Sequence, residues 1–429
     1  MNRPSRLLIA ALSAALATPA AATNGMRMIG FSPTQNAMGG VGVGATLDAG
    51  AVITNPAGLT ELGRRLDLSL TWFKPSVEYK ATGAPLPQGA FVMQPDTTIK
   101  SDRAGSPIPN VGAVIPLGGG LTAGIGAFGV GGMGVDYKAN LYGGKTLTSY
   151  LNLRVAPAIA YKTCEWFSVG LALNASLAQM KYDVASGFGQ QLHDTASSFG
   201  YGATLGVKLH PSTDVAVGAA YETKSTFQDF SFDVPAHQAP DGAGGTVSIP
   251  AGTDKLKFDQ PAMLSGGVSW RVLPILLVAA DVQWINWSDV MGKGQPKFQN
   301  MAPNGYTTTG AMPFDMSWDD QMVFKAGAEV QATPTIKLRA GFDYGKNPLK
   351  ADRAFENVAF PAVAETHVTA GLGWDVMDSL AVNVAGMYAG KASIKGANAA
   401  YPNTGGQGLT SYETSMTQWS VDLGVGWKF

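Results

Sequence analysis

Val421-Asp422-Leu423-Gly424-Val425-Gly426-Trp427-Lys428-Phe429, the last nine residues of the chain, alternate without a break between apolar and small or polar side chains. In an extended chain successive side chains point to opposite faces. Val421, Leu423, Val425, Trp427 and Phe429 therefore share one face, and Asp422, Gly424, Gly426 and Lys428 share the other. The first face suits hydrocarbon and the second a polar interior, which is the pattern of a strand in a closed sheet with lipid outside it.

The same alternation recurs upstream. Leu66-Asp67-Leu68-Ser69-Leu70-Thr71-Trp72 and Leu151 to Lys162 repeat it, and further strand-like segments lie near 109–116, 121–130, 167–180, 200–210, 214–223, 259–270, 275–287, 322–331, 335–344, 365–375, 380–390 and 418–429. These make fourteen, within a working range of twelve to sixteen. Connections alternate in length. Short ones fall near 117–120, 163–166, 211–213, 271–274, 332–334 and 376–379; long ones rich in Gly, Pro, Asn and Asp run near 81–108, 131–149, 181–199, 224–258, 288–321, 345–364 and 391–417. Turns on one rim and loops on the other are expected of an all-β, antiparallel transmembrane barrel.

Composition agrees. Charged residues are 14% of the chain, against roughly 25% in soluble domains, and a soluble sandwich would carry more charge on its wet faces. No mature stretch reaches the roughly 18 apolar residues of a spanning helix, so a chain that crosses a membrane does so with strands. The formal net charge of −1 supplies no basic field for nucleic acid. Cys164 is the single cysteine, so no internal disulfide is expected. At the start, Arg3 and Arg6, an apolar run Leu7–Leu16 and the small exit Ala20-Ala21-Ala22 read as a secretory signal peptide over 1–22, leaving Thr23 first and no lipidated cysteine.

Residues 23–63 precede the barrel, which is expected over 64–429. The segment contains Gly39-Gly40-Val41-Gly42-Val43-Gly44-Ala45 and then Asp48-Ala49-Gly50-Ala51-Val52-Ile53-Thr54-Asn55-Pro56-Ala57-Gly58-Leu59. Small and apolar residues would be poorly used in a free tail, and a plug inside the lumen is the economical placement. This Gly/Ala-rich lead ending in Asn55, Pro56, Ala57, Gly58 and Leu59 resembles the FadL family of outer-membrane transporters for long-chain fatty acids and other hydrophobic compounds. Asp281-Val282-Gln283-Trp284-Ile285-Asn286-Trp287-Ser288 and Arg339-Ala340-Gly341-Phe342-Asp343-Tyr344-Gly345-Lys346-Asn347-Pro348 look like the same family. The resemblance covers the mature chain. It implies a fourteen-stranded barrel in the Gram-negative outer membrane, a hatch over 23–63, and lateral exit at a kinked third strand. In this sequence Gly124, Gly126 and Gly129 are the kink candidates; alternatively they pack against the hatch.

The lumen-facing positions are mainly Gly, Ala, Ser, Thr and Asn, with Arg154, Lys208, Arg339, Asp281 and Asp343 as lone inward charges. Arg154 or Arg339 would suit a fatty acid carboxylate; the competing reading is that they pair with Asp281, Asp343 or hatch groups. Met291, Met301, Met312 and Met316 with Phe298, Phe314 and Trp318 in the fifth long loop are expected to form an outer capture groove for the passenger, together with 224–258, in which replacing Met312, Phe314 and Met316 by Ser would weaken binding; the alternative is that they only pack the loop down. Phe429 as a terminal aromatic resembles the signal read by barrel assembly machinery. The four histidines, His193, His210, His237 and His367, are scattered over rims and loops, so no enzyme, metal site or cofactor is expected. The expected function is diffusive transport of fatty acid through a monomeric barrel in contact with outer-membrane lipid. An aromatic hydrocarbon is the alternative passenger, and an adhesin or structural barrel the alternative of another class.

Overall fold

The computed structural model describes residues 24–83, 98–138, 145–186, 189–240, 245–299, 315–396 and 409–429. Fourteen antiparallel strands form the wall: β1 (Arg65–Gly83), β2 (Ser106–Gly118), β3 (Leu121–Met133), β4 (Thr146–Cys164), β5 (Phe167–Ser186), β6 (Gly189–Leu209), β7 (Val215–Glu222), β8 (Met263–Leu273), β9 (Leu276–Ile285), β10 (Gln321–Gln331), β11 (Ile336–Gly345), β12 (Thr366–Met377), β13 (Leu380–Gly396) and β14 (Leu409–Lys428). Each pairs with the next, and β14 returns to β1 in the register Arg65↔Lys428 through Thr82↔Ser411, which closes the sheet. Closure removes the unpaired edge that lipid could not solvate.

One rim carries tight turns. Gly118, Gly119 and Gly120 link β2 to β3 with φ of +89°, +60° and +82°, a left-handed run that only glycine adopts without strain. The other rim carries the long connections, with one correction to the sequence reading. The expected loop 181–199 is largely strand, because β5 continues to Ser186 and β6 begins at Gly189. The wall is accordingly uneven. β5 and β6 have 20 and 21 residues while β7 has 8, so one side of the barrel stands well above the other.

Side chains follow the predicted parity. Val421, Leu423, Val425, Trp427 and Phe429 are exposed on the outside, while Asp422 is buried in the lumen. Two aromatic belts bound the apolar band. Tyr161, Trp166, Trp270, Trp374 and Trp427 mark the turn rim; Trp72, Tyr201, Trp284, Tyr344, Tyr388 and Trp419 mark the other side. Trp419 and Trp427 lie eight residues apart, which is about 27 Å along a strand at roughly 3.4 Å per residue and fits a tilted crossing of a bilayer.

Above the second belt the alternation keeps its period but inverts its polarity. In β1 the inward residues change from Asp67, Ser69 and Thr71 to Phe73, Val77, Tyr79 and Ala81, while the outward ones change from Leu68, Leu70 and Trp72 to Lys74, Ser76, Glu78 and Lys80. Outside the bilayer the outer face meets water. The lumen at that height is apolar.

Residues 24–62 lie inside the barrel. They fold into two short helices, α1 (Pro33–Ala37) and α2 (Ala51–Thr54), and a 3₁₀ turn over Pro56–Glu61. Ser32 caps α1, its Oγ accepting from Gln35 N, and Asn55 caps the 3₁₀ turn with Pro56 in the first position, where a missing N–H costs nothing.

Candidate functional site

The lower lumen is a polar socket for this hatch. Asp281 of β9 accepts from the backbone N–H groups of Gly42, Val43 and Gly44 at 2.7, 2.9 and 3.2 Å. Three successive amides around one carboxylate form an anion nest in which the wall supplies the anion. Asp422 of β14 accepts from Asn36 Nδ2 at 2.7 Å and also from Thr71. Lys208 of β6 pairs with Glu61 at 2.8 Å, and Lys325 of β10 donates to Ile29 O at 2.7 Å. Asn55 holds the corner of the hatch by donating to Val43 O and to Val207 O of the wall.

Glycines make room for this fit. A Cβ at Gly206 would stand 2.2 Å from Asn55 Oδ1, one at Gly170 2.4 Å from Ala57 N, and one at Gly341 2.0 Å from Gly39 N. The hatch backbone therefore rests directly on the wall backbone, and the Asn55-Pro56-Ala57 corner sits in a cradle of β5 and β6.

A break in the wall lies beside the hatch. β2 and β3 pair from Gly118↔Leu121 to Asn110↔Phe128 and no further. Beyond that point β3 carries a bulge at Val130, where Gly129 pairs with Leu153 and Gly131 with Asn152. The freed edge of β3 is taken by the hatch: Met28 N donates to Val130 O at 3.2 Å and Gly132 N to Met26 O at 3.0 Å. The kink candidates divide. A Cβ at Gly124 would press on Val52 and Leu59 of the hatch, one at Gly126 on the Phe128 ring, and one at Gly129 on Ile108 across the parting strands. Gly124 serves hatch packing, and Gly129 borders the bulge.

Above the hatch the upper lumen, the chamber, is filled with packed apolar side chains. Strand extensions contribute Tyr79, Tyr150, Met180, Tyr182 and Met416, the connection from β7 to β8 contributes Phe227, Phe230 and Phe258, and that from β9 to β10 contributes Trp287, Met291, Met316 and Trp318. The expected sparse polar lumen thus holds only for the hatch level. Residues 224–258 and the fifth long loop are joined by the pairing of Lys255–Lys257 with Lys297–Gln299, and their large described apolar residues, such as Phe230, Phe258, Trp287 and Trp318, are buried. Met316 is 1% exposed; Met301, Met312 and Phe314 lie outside the described residues, as does the Phe298 side chain. Near the top, burial and the neighbouring Tyr79 push the Tyr137 hydroxyl well above its ordinary range, and it donates to Val358 O.

Arg154 stands at the floor of this chamber. Its side chain is fully buried and Nη2 donates to Glu222 Oε1 at 2.9 Å. Glu222 in turn receives Arg27 of the hatch through two bonds of 3.0 and 2.8 Å. Arg154 Nε and Nη1 have no hydrogen-bond partner among the described residues, nor does Ser176 Oγ directly across on β5. Tyr150 and Asn152 share its inward face on β4, rising toward the chamber. Neither Asp281 nor Asp343 pairs with it.

Arg339 is elsewhere. It pairs with Glu329 at 2.7 Å and donates to Asn383 at 2.9 Å, at the level of Gly373 near the turn rim, which commits it to the wall. Asp343 accepts from Asn24 Nδ2 and faces His367 Nδ1 at 2.8 Å. His210 faces Glu61 at the turn rim.

Sequence reasoning missed Glu222, Lys325 and Arg27. Parity places the first two, since Ala216, Gly218, Ala220 and Glu222 alternate inward, as do Gln321, Val323 and Lys325. Arg27 lies in a segment without period, and no local pattern marks it.

A closed barrel with a polar plug fastened in its lower half and an apolar chamber in its upper half is a plugged membrane channel. A family model described as outer membrane protein transport protein (OMPP1/FadL/TodX) matches residues 11–419, and the chain belongs to that family. Its members are outer-membrane transport channels of Gram-negative bacteria for hydrophobic compounds, not enzymes. A long-chain fatty acid transport protein of Escherichia coli O6:H1 is 21% identical over 98% of this chain and 97% of its own. Among solved structures, the Pseudomonas putida toluene transporter TodX is 18% identical with a TM-score of 0.71, covering 93% of this chain and 99% of that one. A Pseudomonas aeruginosa FadL homologue is 14% identical with a TM-score of 0.73, covering 94% and 100%. At these identities the structures establish the shared fold.

Proposed function

We propose that this channel admits long-chain fatty acids, with the carboxylate received by Arg154 and the tail held in the chamber above it. The observation that carries the reading is the unfilled guanidinium. A buried Arg154 whose Nε and Nη1 lack partners among the described residues can still donate to a carboxylate oxygen beside Ser176 Oγ, and the dry surroundings strengthen a charge-assisted bond. Methionines in the chamber give a flexible, polarisable lining suited to an alkyl chain.

From the floor the passenger leaves sideways through the parting of β2 and β3 into the bilayer, once Met26–Met28 quit the edge of β3. Residues 1–22 are removed on export, 23–63 act as the hatch, and Phe429 presents the strand to the assembly machinery. Passage follows the gradient.

A second reading has an aromatic hydrocarbon as passenger. The rings of Tyr79, Tyr137, Tyr150, Phe230, Phe258 and Phe360 in the chamber favour it, and solved relatives are described as toluene transporters. Growth of a deletion strain, with and without the gene restored, on a long-chain fatty acid and separately on toluene separates the two. Loss and rescue on fatty acid alone supports the first reading. Loss on toluene alone leaves Arg154 a structural partner of Glu222.

A further inference from the structure

The connection between β11 and β12, residues 346–365, does not sit on top of the barrel. It enters the chamber. Ala354, Phe360, Val363 and Asn357 are all buried at 1% exposure or less, and Phe355 at 8%. Phe360 lies against Tyr182 with rings 15° apart and centroids at 6.2 Å, and against Phe258 at 6.3 Å. Phe258 touches Tyr150 at 4.9 Å, and Tyr150 is four residues from Arg154 on the same inward face. The segment thus reaches from the mouth into the space a tail would fill.

Its attachment differs from that of the wall. Every backbone–backbone hydrogen bond described for residues 354–362 stays inside the segment, as in Val358 N to Phe355 O and Phe360 N to Asn357 O. It is held from outside by side chains: Thr148 Oγ donates to Ala359 O at 2.6 Å, and Trp318 Nε1 to Asn357 Oδ1 at 2.7 Å. Asn357 Nδ2 donates to Met316 O at 3.2 Å, and Arg353 pairs with Asp315 at 3.5 Å. Its base is held by Gly345 N to Glu365 O at 2.9 Å and by Asp319 N to Pro348 O at 2.8 Å. A body bonded internally and tethered at a few points can leave without unravelling the sheet. The hatch, by contrast, is also paired backbone to backbone with β3, at Met26 and Met28.

We propose that residues 354–364 are a strap that occupies the passenger's place, and that Phe360 is the specificity-determining residue the passenger displaces. The proposal rests on the chamber being the passenger site. Binding then requires the strap to vacate, so apparent affinity is reduced by the fraction of molecules with the strap out. A passenger able to replace the ring stacking of Phe360 enters; one too short to do so leaves the strap in place.

The sign of the effect separates this role from a lining role. Phe360→Ala weakens the occupant, so oleate should bind the purified protein more tightly, by about threefold to tenfold as the strap-out fraction rises. A residue that merely lines the site would lose affinity on truncation. Asn357→Ala, which cuts the ties to Trp318 and Met316, should shift affinity the same way. On wild-type protein in detergent, saturating oleate should speed tryptic cleavage after Lys350 or Arg353, which needs no variant to fold. Weaker or unchanged binding in both variants, or bound oleate with cleavage unchanged, overturns the strap. If wild type binds neither oleate nor toluene, the chamber reading falls and the strap with it.

Discussion

Arg27 and Glu222 meet inside the barrel in a two-pronged ion pair, Nη1 to Oε1 at 3.0 Å and Nη2 to Oε2 at 2.8 Å, 195 residues apart in the chain. Arg27 belongs to the hatch segment that completes the sheet beside β3, and Glu222 also holds Arg154 at the chamber floor. One carboxylate therefore links the plug, the parted wall and the proposed head-group site.

Removing that carboxylate charge leaves two buried guanidiniums facing each other. Breaking a buried pair from one side costs about 3–5 kcal/mol. Glu222→Gln should therefore lower the unfolding midpoint in detergent and accelerate amide exchange over residues 24–28. Exchange as slow as in wild type would show that Arg27 is held by other groups.

Gly206 is predicted to tolerate no side chain. Its Cβ would lie 2.2 Å from Asn55 Oδ1, whereas a Cβ at Gly266 meets only Val282 Cγ1 at 4.0 Å. Overpacking of this kind costs about 1–3 kcal/mol. In planar bilayers Gly206→Val should raise the leak conductance by lifting the Asn55-Pro56-Ala57 corner, while Gly266→Val stays at wild-type level. Equal conductance in the two variants would remove the cradle from the account.

Arg154→Gln separates the two passengers. Losing charge-assisted bonds worth about 1.5–3 kcal/mol should weaken oleate binding by roughly tenfold to a hundredfold. Toluene, with no anion to place, should enter at the wild-type rate. A parallel loss for both compounds points to collapse of the chamber floor instead.

Gly129→Val probes the exit. The added side chain would press on Ile108 where β2 and β3 part, since even a Cβ stands 2.4 Å from Ile108 Cγ2. Uptake into cells should fall while oleate binding to the purified protein is retained. Unimpaired uptake would send the passenger by another route.

Much of the fold was legible because a strand in lipid has two faces and a period of 2. The inward charges Arg154, Lys208, Arg339, Asp281 and Asp343 are all buried, as parity required. Legibility stopped where the membrane stopped. The stretch with exposed Asp194, Thr195 and Ser197 reads as loop because a strand standing in water on its outer face has no apolar outside to contrast with its inside. The phase inversion at Trp72 and Phe73 is a usable signal of that exit, and it marks the chamber as well as the membrane edge.

The sequence by itself determined the class of structure, its orientation of faces and the presence of an inward plug, since hydrocarbon outside and closure of the sheet act on each strand locally. It could not choose among partners. Arg154 could have met Asp281, Asp343, the hatch or a ligand, and only the tertiary structure joined it to Glu222 and left Nε and Nη1 without a partner among the described residues. Likewise nothing local told the β11–β12 connection to enter the lumen instead of covering it. Which buried charges neutralise one another, and which apolar loops fill a cavity, depends on distances across the barrel, and those exist only once the ring is closed.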